Sequence, residues 1–223
     1  MSAKLRQFPT SACGAMVRKL LHYKGIEFET VDLDVAASEA QLAVSGVPFV
    51  AELTLPNGET IAAAERIALR LEELYPEPTI MPPDQRGLQI ALERYIQNDV
   101  ATELLRLAIP DLVAYFRRLS AEHEAAFRQI VDETLGVGFC TQAEGERDAI
   151  TERAANLLEP FEEALAGKAF LMGRIGLADF ALYGQLYTLA VSGELKLPRE
   201  FPNLRAFHGR IDRISASLDD LRI

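Results

Sequence analysis

Three reactive side chains lie close together near the N-terminus, where a short apolar strand is expected to lead into a helix. Thr10 and Ser11 carry hydroxyls, and Cys13 carries a thiol two residues further on. The N–H groups at the start of a helix favour an anion, and a hydroxyl there can donate a hydrogen bond to one. A thiol in the first turn also tends to have a lowered pKa. The segment therefore predicts an anion or thiolate site, although a serine in this place is also a common helix cap.

A second feature is the segment Ser45-Gly46-Val47-Pro48-Phe49-Val50, in which a proline opens an apolar strand. Proline has no N–H to donate, so it normally disrupts a strand. A cis bond between Val47 and Pro48 would turn the chain into an edge strand, with the N–H and C=O of Val47 available to an extended peptide-like ligand. The alternative is an ordinary trans proline at the start of a strand.

Composition excludes several classes of protein. The 223 residues carry a net charge of -10, which argues against nucleic acid and anionic membranes as partners. No apolar run reaches the roughly 18 residues of a membrane span, and the N-terminus lacks the apolar segment of a secretory signal. We therefore expect a cytoplasmic protein. Cys13 and Cys140 are the only cysteines, and the three histidines show no metal-ligand spacing, so no metal site is predicted.

The elements divide the chain into two parts. Residues 1–76 read β-α-β-α-β-β-α, and Pro56-Asn57-Gly58 marks a hairpin turn. Four prolines between 76 and 83 indicate a stiff connector, so we place a linker at 77–85. The remainder, 86–223, reads as helices only. They are predicted at 86–119 with a kink at Pro110, and at 121–135, 144–165, 177–191 and 203–214.

This order, with Val47-Pro48 before the third strand, resembles the cytosolic glutathione S-transferases over essentially the whole chain. Four segments carry the resemblance: Ser11-Ala-Cys13-Gly-Ala-Met-Val-Arg18 followed by Lys24-Gly25-Ile26, then Val47-Pro48, then Ile67-Ala-Leu-Arg-Leu71-Glu-Glu-Leu74-Tyr75-Pro76, and Gly173-Arg-Ile-Gly176-Leu-Ala-Asp179-Phe-Ala-Leu-Tyr183. The resemblance implies an α/β plus all-α fold. Its parts would be a thioredoxin-like, glutathione-binding domain over 1–76 and an all-helical C-terminal domain over 86–223.

The last segment has a physical role of its own. The family usually places serine or threonine three residues before the aspartate, and the pair forms a capping box. Here Gly176 stands in that position, and Asp179 can still accept a hydrogen bond from its N–H. We expect Asp179 to serve folding and not catalysis.

The resemblance implies a catalytic role for Ser11 as donor to the glutathione thiolate, with Val47 and Pro48 holding the cysteinyl backbone. Thr10 could replace Ser11. Cys13 could instead form mixed disulfides with glutathione, although the cysteine-type members usually carry their cysteine at the position of Ser11. Packing is the alternative role for Cys13. Phe8 stands where the tyrosine-type members place their phenol.

The other half of the implied glutathione site departs from the family pattern. An acid or glutamine followed by serine normally holds the γ-glutamyl end there, but this chain has Ala63 and Ala64. Two lost hydrogen bonds to charged groups could cost about 3–6 kcal/mol of binding. The N–H groups of Ala64 and Glu65 could still bind a carboxylate. The Glu65 side chain, one position further on, would point about 100° around the helix.

Two functions therefore stay open. One is a glutathione transferase that conjugates, isomerises or cleaves an electrophilic small molecule with the thiolate. The other is a non-catalytic binding or regulatory module that has weak or no glutathione binding. Tyr95, Tyr115 and Phe116 are candidates for the wall of a second substrate site, with core or dimer packing as their alternative role. The resemblance also implies a homodimer.

Overall fold

A computed structural model of the chain describes residues 2–37 and 51–215. Val47 and Pro48 lie outside the described residues, as do residues 38–44, where the sequence pattern places the second helix of the β-α-β-α-β-β-α order. The strands form one mixed sheet in the order β2-β1-β3-β4, in which β1 is parallel to β2 and antiparallel to β3. The bounds are Ala3–Gln7 for β1, Phe28–Asp32 for β2, Glu52–Thr54 for β3 and Thr60–Ala62 for β4.

Strand β1 lies inside the sheet because it pairs with both β2 and β3. Its side chains alternate between buried and more exposed, as the pleat requires. Ala3, Leu5 and Gln7 are buried. Helix α1 (Ala12–Tyr23) and helix α2 (Ala64–Leu74) pack against the sheet. These elements make up the thioredoxin-type part of the molecule, and the prediction of its strand and helix order is confirmed within the described residues.

The rest of the described chain is helical. Its elements are α3 (Arg86–Tyr95), a π-helical turn (Ile96–Val100), α4 (Ala101–Leu119), α5 (Ala121–Leu135), α6 (Phe139–Gly145), α7 (Arg147–Ala164), α8 (Leu177–Thr188) and α9 (Pro202–Asp212). The predicted class, a small α/β part followed by an all-α part, is thus confirmed.

The predicted single helix over 86–119 is wrong in one respect. The interruption is the π-helical turn at Ile96–Val100, whereas Pro110 lies inside α4. A π-helical turn widens the helix locally and often accompanies a functional site. Two of its residues, Gln97 and Asn98, line a cavity described below.

The helix predicted at 144–165 corresponds to α7, and the short helix α6 that precedes it is not among the predicted helices. Gly136 and Gly138 have φ values of 112° and 82°, which end α5 and set the start of α6. The residues around 144–147 include no proline and no apolar pattern, so the sequence does not reveal where α6 ends and α7 begins.

Helix α8 is the centre of the fold, because its residues from Leu177 to Leu186 are all buried. It packs closely on α1. A Cβ atom at Gly184 would lie 2.5 Å from the backbone oxygen of Ala12, so only glycine permits this approach. The contact positions the N-terminal end of α1, where Ser11 lies, against the helical part of the chain.

The N-terminus of α8 confirms the hydrogen bond expected of Asp179. Its Oδ2 accepts from the Gly176 N–H at 2.8 Å, and its Oδ1 accepts from the Leu171 N–H at 2.9 Å. The hydroxyl that Gly176 lacks has a substitute from another helix. The Oε1 of Gln89 on α3 accepts the N–H of Ala178 at 2.9 Å. Gln89 is fully buried, so the cap of α8 is shared between two helices.

Among residues 2–37 and 51–215, no helix combines the length and the apolar character that a membrane crossing would need.

Candidate functional site

Ser11 is the N-cap of α1. Its backbone is extended, with φ −76° and ψ 130°, and its Oγ accepts a hydrogen bond from the N–H of Gly14 at 3.3 Å. The residue is 7% exposed, at the junction of the sheet and the helical part. Ser11 is therefore a helix cap, and its hydroxyl stands at the positive end of the helix.

The turn before Ser11 is held from two sides. The hydroxyl of Tyr187 on α8 donates to the carbonyl oxygen of Pro9 at 3.1 Å. The Arg18 guanidinium lies 5.1 Å from the centre of the Tyr187 ring and donates to the Oε1 of Gln7. Groups from both parts of the molecule thus fix the position of Ser11 relative to the helical part.

The pKa of the Cys13 thiol is not lowered, although Cys13 lies in the first turn of α1. Burial, and to a lesser degree the Glu93 carboxylate, raise the pKa of its thiol to about 11. The expected lowering by the helix start is smaller than these two effects. The thiol is therefore protonated at neutral pH and is a poor nucleophile in this environment.

An apolar cavity of about 230 Å³ opens beside Ser11, between α1 and the helical part. Its lining combines a few hydroxyls, a thiol and amides with aliphatic groups and one aromatic ring. Its main lining residues are Thr10, Ser11, Cys13, Gln97, Leu105, Leu112, Phe127, Val131, Leu135 and Gln185. A cavity with an apolar wall and a few polar groups at one end is suited to a small, mostly apolar molecule.

The three aromatic candidates have the alternative role, packing, and do not form the wall of the cavity. Tyr95 stacks on Phe161, and Phe116 stacks on Phe127 with a centroid distance of 4.6 Å. Tyr115 packs edge-on against Phe116. None of the three predicted residues lines the cavity, whereas Phe127 on α5 does. The predicted residues lie in packing contacts because their positions on α3 and α4 face other helices.

A second, polar cavity of about 220 Å³ lies at the start of α2. It is lined by backbone and side chains of α1, α2, α3 and the π-helical turn: Cys13, Ala63, Ala64, Glu65, Glu93, Arg94, Gln97 and Asn98. Cys13 and Gln97 belong to both cavities, so the two meet there. Together they form a cleft that is apolar beside Ser11 and charged beside α2.

The helical part and the fold have known relatives. A family model described as the glutathione S-transferase C-terminal domain matches residues 144–210. A curated protein of Dianthus caryophyllus, glutathione S-transferase 1, is 26% identical over 98% of this chain and 96% of its own length. Both matches are to the glutathione S-transferase superfamily, and the second extends over almost the whole chain.

Solved structures of this superfamily share the fold. A glutathione S-transferase of Ceriporiopsis subvermispora, solved in complex with glutathione, has a TM-score of 0.74 at 16% identity over 98% of this chain and 100% of its own. The β-etherase LigF of Sphingobium sp. strain SYK-6 has a TM-score of 0.73 at 20% identity over 97% of both chains. At these identities the likeness concerns the fold and not the substrate.

The structure brings together most of the site residues predicted from the glutathione S-transferase resemblance. Ser11 lines the apolar cavity, and Ala63, Ala64 and Glu65 line the polar one. Contrary to its expected direction, Glu65 also faces this cavity, where its carboxylate lies 3.7 Å from the Arg94 guanidinium. The roles of these residues stay predictions.

The sequence reading missed Glu93. Its 1% exposure places a glutamate in the interior, at the edge of the polar cavity. A signal for it exists, since Gln89, Glu93, Ile96 and Val100 follow one another at the spacing of a buried helix face and all four are buried. Two polar residues on an otherwise apolar face can mark a site or a buried polar contact.

Within residues 2–37 and 51–215, no cluster of three or more histidine, cysteine, aspartate or glutamate side chains could hold a metal ion.

Ala63, the N-cap of α2, has a strained backbone. Among the described residues it is the one non-glycine with a positive φ, 76°, and its ψ is 129°. Its N–H donates to the Ala51 oxygen at 3.1 Å and its oxygen accepts from the Ile67 N–H at 2.9 Å. These bonds fix the start of α2 in a conformation that an L-residue rarely adopts.

Replacing Ala63 with glycine is expected to raise the free energy of unfolding by about 1 kcal/mol, because relief of the strain exceeds the entropy cost of glycine. The matched control is Ala64→Gly at the next position, inside the helix, which should lower it by about 0.5–1 kcal/mol. Urea denaturation of both variants measures the difference. If both variants lost the same free energy of unfolding, the backbone of Ala63 would not be strained.

Proposed function

We propose that this protein is a glutathione-dependent transferase acting on a small, mostly apolar electrophile. The observation that carries the proposal is the single cleft in which an apolar cavity beside Ser11 meets a charged cavity at the start of α2. Glutathione would place its γ-glutamyl end in the charged cavity and its sulfur near the start of α1. The electrophile would occupy the apolar cavity.

The proposed chemistry needs a thiolate at the start of α1. The thiol proton passes to solvent, and the helix N-terminus and the Ser11 hydroxyl stabilise the sulfur anion. A sulfur lone pair then forms the C–S bond. The leaving group departs with the bonding pair, or in an addition the electrons move into the conjugated system, which then takes a proton. Isomerising or cleaving reactions start from the same thiolate.

Ser11→Ala tests this proposal. We expect kcat/KM with glutathione and a generic electrophile such as 1-chloro-2,4-dinitrobenzene to fall by about 10–100-fold, the effect of one hydrogen bond to a charged group. The pH-rate profile should shift to higher pH, since the bound thiol would ionise less readily. Ser11→Thr keeps a hydroxyl and should retain most of the activity.

The Ser11→Ala variant also loses a helix cap, which should cost about 0.5–2 kcal/mol of stability. The measurements are therefore made well below the melting temperature of the variant. An unshifted pH profile with unchanged kcat/KM would remove Ser11 from the mechanism.

A second candidate function is a binding module without catalysis. Ala63 and Ala64 favour it, because neither side chain can hold the γ-glutamyl group. Calorimetric titration with glutathione separates the two candidates. Micromolar binding together with conjugating activity supports the enzyme, and millimolar or undetectable binding supports the module.

Two further proposals follow from the family and are tested separately. We expect a two-fold homodimer, which light scattering on the purified protein would measure. A cytoplasmic location would be measured by cell fractionation.

A further inference from the structure

The carboxylate of Glu93 is the least compensated charge near the cleft. The residue is 1% exposed, and within residues 2–37 and 51–215 neither of its oxygens has a hydrogen-bond partner. Gln97 lines the same cavity as Glu93 and is the smallest of the four effects on its pKa, and its own side-chain oxygen accepts from the amide of Gln185 at 3.2 Å. Burying a charged carboxylate without a partner costs free energy. The Glu93 carboxylate is therefore expected either to bind a ligand or to take up a proton.

The neighbouring charged side chains do not neutralise the Glu93 carboxylate. The Arg94 guanidinium is 65% exposed at its side chain and pairs with Glu65 at 3.7 Å. Cys13 contributes a protonated thiol, and Gln97 and Gln185 are uncharged. The cavity thus holds two acids and one base, which leaves an excess negative charge on the wall formed by α3.

A primary ammonium group matches this wall. It is compact, carries one positive charge and has three N–H donors, enough for both oxygens of Glu93. A metal ion does not match, because no group of three possible ligands exists among the described residues. The opposite wall suits an anion, since α2 begins there with the N–H groups of Ala64 and Glu65.

We propose that Glu93 binds the ammonium group of the γ-glutamyl end of glutathione, while the start of α2 binds the carboxylate on the same carbon. The inference rests on the proposed use of glutathione. It makes α3, and not the side chains of α2, the source of the acid in this site. Ala63 and Ala64 then leave room for the ligand without having to recognise its amine.

This assignment makes the site selective for a free amine. An N-acylated ligand has no positive charge to offset Glu93 and would bury the carboxylate without a partner. Burial and the carboxylate of Glu65 raise the pKa of Glu93 to about 7, and Arg94 and Gln97 act in the opposite direction. Because the ammonium needs the ionised carboxylate, binding should strengthen as the pH rises from 6 to 8.

The test uses S-methylglutathione, whose sulfur cannot ionise, and its N-acetyl derivative, each titrated calorimetrically into the full-length protein. We expect wild type to bind the first at least tenfold more tightly than the second at pH 8. We also expect its affinity for the first to fall by about tenfold between pH 8 and pH 6, since a group with a pKa near 7 is mostly protonated at pH 6.

Glu93→Gln should abolish both differences, because the amide is neutral at every pH. Asp99→Asn is the charge-matched control, since Asp99 is exposed on the π-helical turn and is not part of the cavity lining. It should bind as wild type does.

The outcomes separate the two proposals. Equal affinities of wild type and Glu93→Gln for S-methylglutathione at pH 8 would overturn the role of Glu93 and leave glutathione use standing. Undetectable binding of both S-methylglutathione and glutathione by wild type would overturn both. A tenfold loss in Glu93→Gln alone, with Asp99→Asn unchanged, supports both.

Discussion

Replacing Glu93 with glutamine is expected to raise the free energy of unfolding of the unliganded protein by about 3–4 kcal/mol at pH 8 and to leave it nearly unchanged at pH 4. Burial, followed by the charge of Glu65, raises the pKa of Glu93 to about 7. The unfolded chain should have a value near 4.3. Each unit of difference corresponds to about 1.36 kcal/mol.

The sign follows from proton binding. The folded protein holds a proton on Glu93 more tightly than the unfolded chain does, so this contribution is fully present below about pH 4. It is lost as the pH rises through about 7, where the buried group must ionise. Glutamine has the same shape without the charge, so Glu93→Gln should not show this loss.

Urea denaturation at pH 4 and pH 8 measures the effect, with Asp99→Asn as the control for the change in net charge. If Glu93→Gln and wild type lost stability in parallel between these pH values, the carboxylate would have to be hydrated through the cavity and not buried. If the Glu93→Gln variant is more stable but binds S-methylglutathione poorly, the Glu93 carboxylate lowers stability in the wild type and is needed for ligand binding.

The second large effect concerns the shared cap of α8. Gly176→Ser, which introduces the residue type that relatives usually carry, is expected to destabilise the protein by about 2 kcal/mol. A Cβ atom at Gly176 would lie 2.0 Å from the Nε2 of Gln89. Gln89 is fully buried, so it cannot move aside without disturbing its neighbours or losing its bond to the Ala178 N–H.

The double variant Gly176→Ser/Gln89→Ala should recover most of this loss, because the serine hydroxyl replaces the amide oxygen of Gln89 as the cap. Gln89→Ala alone should also be destabilising, because it leaves the Ala178 N–H unpaired and opens a cavity. The four proteins form a thermodynamic cycle, measured by thermal and urea denaturation. An interaction free energy of about 2 kcal/mol is expected, and simple additivity would show that the two positions are independent.

These two experiments concern residues one turn apart on the buried face of α3. Gln89 caps α8, and Glu93, one turn later, faces the cleft. Both are polar residues on the buried face of a helix, where apolar residues normally lie. One has a protein partner and the other has none among the described residues, and this difference is the reason for assigning folding to the first and binding to the second.

Local sequence determined much of this protein. The strand and helix order of residues 2–37 and 51–76 follows from short-range patterns. The turn at Asn57-Gly58 is an example, since the Asn57 side chain accepts from the Glu59 N–H at 2.9 Å and Gly58 has a φ of 89°. The caps supplied by Ser11 and Asp179 are also local, because each residue bonds a backbone N–H three positions away. Interactions within one turn are set by residue type and spacing, so they can be derived without coordinates.

Only the tertiary structure decided the chemistry of the cleft. The raised pKa of Cys13, the cap supplied by Gln89 and the meeting of Glu93 with Ala63 and Ala64 all join residues that lie tens of positions apart in the chain. Burial and charge act through space, and their size depends on which helices pack together. A single sequence specifies those helices but does not display their contacts, so the acid of this site became visible only when α3 was placed beside the start of α2.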